Sequence, residues 1–139
     1  PVRTPAAPAA VARPESQATA RIALQRRIQQ TMRNHVSVVR TAGSLEAAIG
    51  EFEAVLSAPE LIHDASMEAD SVRNMAMVAR EIAASALSRY ESRGGQYRAD
   101  FPVSDPMLDG QHQLVTPLPD GTLSRHFGTL AEAWAAATK

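Results

Sequence analysis

Apolar residues recur at helical spacing in three separate blocks of this chain, and a turn or helix-stop signal follows each block. In the first, from about residue 16, Ile28, Met32, His35, Val36 and Val39 fall at i, i+4, i+7, i+8 and i+11, one face of a helix that Thr41-Ala42-Gly43 is expected to end. The second opens on Ser44 as a predicted N-cap, carries Leu45, Ala48, Ile49, Phe52, Val55 and Leu56 on its inner side, and stops before Pro59. Residues 60–70 are mixed and polar, a connection with room for one helical turn. The third block, from about Ser71 to Tyr90, places Val72, Met75, Ala79, Ile82, Ala83, Ala86 and Tyr90 on one side, with Gly94-Gly95 as its expected terminator. Short connections between three amphipathic helices predict an all-α, up-down-up three-helix bundle, and the small Ala79, Ala83 and Ala86 allow close approach.

The flanks read differently. Residues 1–15 hold four prolines and five alanines without apolar periodicity, which reads as a linker and implies a preceding segment. The bundle is assigned to 16–102 and a tail to 103–139. Within the tail, 113–127 carries a Pro-Asp-Gly turn between two short apolar segments, a β-hairpin signal, with Pro117 and Pro119 confining the first strand to an edge. Thr129 and Glu132 then stand in capping-box spacing ahead of a short terminal helix around Trp134.

Composition narrows the function classes. The apolar fraction is 45%, but alanine supplies much of it and aromatics only 4%, so apolar volume per residue is low and a partner is expected to share the burial. A net charge of −1 offers no general attraction to nucleic acid or to an anionic membrane. With no cysteine, disulfides, thiol nucleophiles and thiolate metal sites are excluded. No apolar run reaches the length of a membrane span, and the N-terminal stretch lacks the core of a signal peptide; the expected location is cytoplasmic.

Candidate chemistry is sparse. His35, His63, His112 and His126 sit in four different elements without metal-ligand spacing; His112 and His126 could meet across the hairpin, and His35 reads as a core histidine. No nucleophile elbow, P-loop or G-x-G-x-x-G occurs, and Glu51 and Glu53 read as a solvated helix face. Arg26, Arg33 and Arg40 form a row at heptad spacing, echoed by Arg73 and Arg80; this is either a basic docking surface or, more simply, a solvated face. The densest charge lies in residues 89–102, where Arg89, Glu91, Arg93, Arg98 and Asp100 alternate in sign around the paired glycines. As structure this is an ion-paired helix end and exit loop; as function, a latch onto another domain.

That segment also carries a resemblance. Glu91-Ser92-Arg93-Gly94, followed by Arg98, Asp100 and Pro102, resembles the signature of the C-terminal helical domain in the flavoproteins that include succinate dehydrogenase, fumarate reductase and L-aspartate oxidase. The likeness covers roughly 22–102. Arg73-Asn74-Met75 and the short distance between the first and third helices look like the L-aspartate oxidase branch. In one place the sequence departs from the pattern: Gln96 stands where the family commonly has histidine, and glutamine hydrogen-bonds but carries no proton at neutral pH.

The resemblance implies a whole enzyme in which an FAD-binding domain, preceding this one, oxidises L-aspartate to iminoaspartate for NAD biosynthesis, with quinolinate synthase consuming the product. It places no catalytic, cofactor-binding or metal-binding residue on this chain, which is expected to be inactive and FAD-free alone. Its expected partner is the FAD domain of the same polypeptide, reached through Arg89, Glu91, Ser92, Arg93, Gly94, Gln96, Arg98 and Asp100. The alternatives are the same domain of a fumarate reductase or succinate dehydrogenase flavoprotein, a free-standing helical interaction module, and a small nucleic-acid binder built on the arginine rows.

Overall fold

A computed structural model of the protein describes residues 14–120 and 122–137, and those residues are mostly helical with small strands. The expected linker therefore lies almost wholly outside the described residues, as does the glycine of the Pro-Asp-Gly turn. The first helix, α1, runs Pro14–His35. It ends well before the expected stop at Thr41, because Val36-Ser37-Val38-Val39 is rich in β-branched residues that lose rotamer freedom in a helix. Val36 is still buried below the last turn, but Val39 is 64% exposed and belongs to a two-residue strand, β1 (Val39–Arg40). His35, expected in the core, is only half-buried at the helix end.

Helix α2 (Ala42–Leu56) starts earlier than the sequence suggested. Thr41, in extended backbone, is its N-cap: the hydroxyl accepts from the Ser44 amide at 3.2 Å, while Ser44 Oγ accepts from the Thr41 amide at 3.0 Å. Ser44 is thus the third helical residue of a reciprocal box and not the cap itself. A single turn, α3 (Pro59–Ile62), occupies the polar connection and buries Leu61.

Helix α4 (Met67–Ser88) begins four residues ahead of the expected start, capped by Ser66, whose Oγ accepts from the Ala69 amide at 3.2 Å. Its buried face is Ala69, Val72, Ala76, Ala79, Ala83 and Ala86, alternating steps of three and four. This corrects the expected face: Met75, Ile82 and Tyr90 are exposed, and Ala69 and Ala76 take the inner positions. Helices α1, α2 and α4 each touch the other two around one cluster, to which α2 contributes Leu45, Ala48, Phe52 and Val55. Burying a large apolar side chain contributes roughly 1.5–3 kcal/mol. The bulk thus comes from Phe52, Leu45, Leu61 and Ile28, whereas the alanines of α4 chiefly let the helices approach.

Beyond α4, Tyr97–Arg98 forms β2, pairing in parallel with β1 so that Arg40 lies beside Arg98. The pair was not anticipated; two residues are too few to show a period. Antiparallel β3 (His112–Pro117) and β4 (Leu123–Gly128) make the expected hairpin, and α5 (Leu130–Ala137) follows with Thr129 and Glu132 capping each other.

Candidate functional site

The end of α4 leaves backbone carbonyls without helical partners, and the chain that follows is shaped to supply them. Arg89, the C-cap, turns out of the helix in extended backbone. Arg93-Gly94-Gly95-Gln96 is a tight turn closed by amide–carbonyl bonds of 2.8 and 3.0 Å between Arg93 and Gln96, with Gly94 at φ 56°, a conformation glycine adopts without steric cost. The paired glycines therefore reverse the loop; they do not terminate the helix, which has already ended at Ser88. The reversal carries Arg98 back beneath α4.

Arg98 is fully buried and uses both edges of its guanidinium. Nη1 donates to the carbonyls of Ala86, Leu87 and Arg89 at 3.0, 2.9 and 3.1 Å. Nε and Nη2 donate in parallel to Asp100 Oδ1 and Oδ2, both at 2.8 Å. The Phe101 ring packs on the guanidinium, 5.1 Å from its centroid. Asp100 in turn accepts from the amide of Ala42, the first residue of α2, at 2.9 Å. A cation thus sits at the negative end of α4 and an anion at the positive end of α2, each the favoured sign. The hydrogen bonds from Arg98 hold the Asp100 carboxyl well below its ordinary value, and Asp100 holds Arg98 above its own.

Glu91, equally buried, forms a second centre. It accepts from Arg93 Nη2 at 3.1 Å, Arg89 Nε at 2.6 Å and the Asp105 amide at 2.7 Å. The Arg93 bonds lead in holding its pKa down at about 2. Arg93 also pairs with Asp109, and the two acids hold its own pKa above the ordinary arginine value. Ser92 ties the two centres together: its Oγ accepts from the Arg98 amide at 2.8 Å and bonds to the Phe101 carbonyl at 2.8 Å. Gln96 spans a last gap, its Nε2 donating to the Ala86 carbonyl at 3.2 Å and its Oε1 accepting from Arg40 Nη1. A neutral imidazole also offers one donor and one acceptor, so the glutamine retains the bonding pattern a histidine could supply here.

Such an arrangement holds parts together and moves no proton. Glu91 and Asp100 are held ionised, arginines give up no proton near neutrality, and the Ser92 hydroxyl is engaged by backbone. Among the described residues every buried side-chain nitrogen and oxygen has a partner.

The remaining candidates do not converge on this place. His112 pairs in register with Gly128 and His126 with Leu114, so the two histidines are not opposite each other. Among the described residues no group of three potential metal ligands is found. The arginine row is broken by the early end of α1: Arg26 and Arg33 stay exposed on the helix, while Arg40 joins the clasp. Arg73 binds the carbonyls of Leu61 and Asp64, Arg80 pairs with Glu81, and Glu51 pairs with Arg27. Sequence reasoning missed Arg40 and Ala42 as members of the clasp; Ala42 takes part through a backbone amide that any residue could supply, and Arg40 through the side chain of Gln96, far from it in sequence. Among the described residues no helix is long and apolar enough to cross a membrane.

The family described as fumarate reductase flavoprotein C-term matches residues 25–124. An L-aspartate oxidase of Rhodospirillum rubrum is 36% identical over 91 residues, which is 66% of this chain and 29% of that protein. A CoM/CoB fumarate reductase polypeptide of Methanothermobacter marburgensis is 34% identical over 87 residues, 57% of this chain and 16% of the relative. The chain thus spans less than a third of the curated relatives it matches. Quinol fumarate reductase FrdA of E. coli superposes with a TM-score of 0.55 over 83% of this chain and 24% of that one; at 19% identity the likeness is one of fold.

Proposed function

Because this chain belongs to the C-terminal family of the succinate dehydrogenase and fumarate reductase flavoproteins, we propose that it is the helical domain of an FAD-dependent L-aspartate oxidase. The observation that carries the choice within the family is the 36% identity to the R. rubrum oxidase. The whole enzyme oxidises L-aspartate to iminoaspartate in the cytoplasm for NAD biosynthesis, and quinolinate synthase uses the product. In this reading α1, α2 and α4 run up, down and up, and the domain packs on the FAD domain of its own polypeptide. The latch residues from Arg89 to Asp100 keep the ends of α2 and α4 in place for that contact.

The start of α2 offers FAD no free phosphate site. A dinucleotide crevice needs a strand, a tight turn and a free helix N-terminus for the phosphates. The segment from β1 to α2 has that order, but the Asp100 carboxylate already occupies the amide of Ala42. The chain's share of the enzyme is therefore architectural, and no step of the reaction is assigned to its residues.

The family assignment argues against a free-standing module, and the near-neutral charge against a nucleic-acid binder. The rival within the family is a fumarate reductase flavoprotein, to one of which, from M. marburgensis, the chain is 34% identical. Assaying the polypeptide encoded by the complete reading frame separates the two: L-aspartate-dependent iminoaspartate formation is expected, and turnover of succinate alone would overturn the assignment. The isolated 139-residue chain is expected to be colourless and inactive, and a flavin-retaining preparation would contradict its architectural role.

A further inference from the structure

Between α4, the glycine turn and β3 lies a cleft of about 690 Å³. Its floor is apolar, built from Met77, Val78, Ile82 and Ala86 of α4 and Val115 of β3. Val78 and Ile82 also border a second cleft on the other flank of α4, beside Ile28 and Met32. They are 60% and 44% exposed, so they stand as a ridge of uncovered apolar surface with a groove on each side. A continuous patch of this kind, in a chain poor in apolar volume, marks a contact surface.

The charges around the first cleft define what can cover it. Arg89 and Arg93 are answered by Glu91 and Asp109, and Glu81 by Arg80 and Arg125. Arg40 is different. Its half-buried guanidinium donates to the carbonyls of Val36 and Ser37 at 3.3 and 2.7 Å and to Gln96 Oε1, all neutral acceptors. Among the described residues no carboxylate forms an ion pair with it, and burial draws its pKa below the ordinary value without a counter-charge to offset it. Arginine nonetheless stays charged. A partner that covered the apolar floor would strip more water from Arg40, and a cation enclosed without a counter-ion is strongly disfavoured.

We propose that this cleft seats an acidic amphipathic segment of the FAD-binding part of the same polypeptide, its apolar side chains on the Val78–Ile82 ridge and an aspartate or glutamate against Arg40. The proposal rests on the reading of the chain as a flavoprotein C-terminal domain. It adds to that reading the contact surface and the chemistry of the partner.

Photo-crosslinking in the full-length polypeptide tests it. This chain has no cysteine, so a Val78→Cys variant, with any cysteines elsewhere replaced, carries a benzophenone maleimide at one position of the ridge. The expected crosslink maps to a peptide of the same polypeptide containing aspartate or glutamate. Reversing the charge with Arg40→Glu should speed proteolytic release of the helical domain about tenfold or more, and a matching acid-to-arginine change at the mapped site should restore it. No crosslink, a crosslink only to a peptide without an acid, or a crosslink to a different protein would overturn the proposal. L-aspartate oxidation, assayed on the same unlabelled polypeptide, keeps the two readings apart. Turnover with the wrong crosslink leaves the enzyme assignment standing, and the expected crosslink without turnover leaves the docking surface standing.

Discussion

Arg98 and Asp100 meet through two parallel hydrogen bonds of 2.8 Å, and each also holds the end of a different helix, Arg98 that of α4 and Asp100 that of α2. Replacing Arg98 by methionine keeps much of the side-chain volume but removes both connections and takes the guanidinium donor from the carbonyls of Leu87 and Arg89, while that of Ala86 keeps Gln96. Breaking a buried pair costs about 3–5 kcal/mol, and the partly exposed Asp100 places this one at the lower end. Urea denaturation of Arg98→Met is expected to show a loss of about 3 kcal/mol. A loss within experimental error would mean that the clasp does not support the fold. Arg98→Lys should fare little better, since an ammonium cannot reproduce the fork.

Glu91 makes stability depend on acid. Its pKa falls from an ordinary 4.5 to about 2 on folding, so the native state favours the ionised form. The stabilisation is fully present above 4.5 and is lost as pH falls from there toward 2. Asp100, also shifted down, adds to the same trend. Urea midpoints measured from neutral pH to about 2 should therefore decline most steeply below about 4.5, and Glu91→Gln should be less stable at pH 7 with a shallower acid limb. An unchanged acid limb in that variant would exclude Glu91 as a source.

Gln96 accepts from Arg40 and donates to Ala86. Gln96→His should retain this pattern while its ring is neutral and lose the acceptor on protonation, when an imidazolium would face the Arg40 guanidinium. Proximity to that cation lowers the folded-state pKa of the new imidazole below its unfolded value of about 6.5. The variant should match the wild type near pH 8 and lose stability relative to it as pH falls below about 6.5. Thermal melts at pH 8 and 5.5 measure the difference, and equal shifts at both would exclude the imidazole as its cause.

Ala76 is fully buried on the seam between α4 and its neighbours. Ala76→Leu adds volume where close approach leaves no space and should destabilise the chain by about 1–3 kcal/mol. Val78→Leu, on the exposed ridge, should change stability by less than about 0.5 kcal/mol. Similar losses for both would mean that the buried face has been misassigned.

The helical blocks, the hairpin and the terminal capping box were legible because each rests on local spacing or turn chemistry. The candidate site was legible in part: Glu91, Arg93, Arg98 and Asp100 stood out as charges that pair with one another around the glycine turn, but their backbone partners did not. Arg98 is neutralised by one side chain and three carbonyls, and Asp100 is completed by an amide of α2. Backbone donors and acceptors are common to all residue types, so no pattern of letters marks the ones that will be used.

Local chemistry in the sequence by itself determined three long helical segments, a weakly apolar alanine-rich interior, and a motif that identifies the family. Tertiary structure decided which face of α4 turns inward, where α1 stops, and that the charges after α4 close on the ends of two helices. The physical reason is competition. Alanine packs almost equally well on either side of a helix, so neighbours choose the face; an arginine takes the strongest set of acceptors that folding brings within reach. Among the described residues the same selection leaves Arg40 without a carboxylate and Val78 and Ile82 uncovered, features that arise only once α4, the glycine turn and the hairpin stand together.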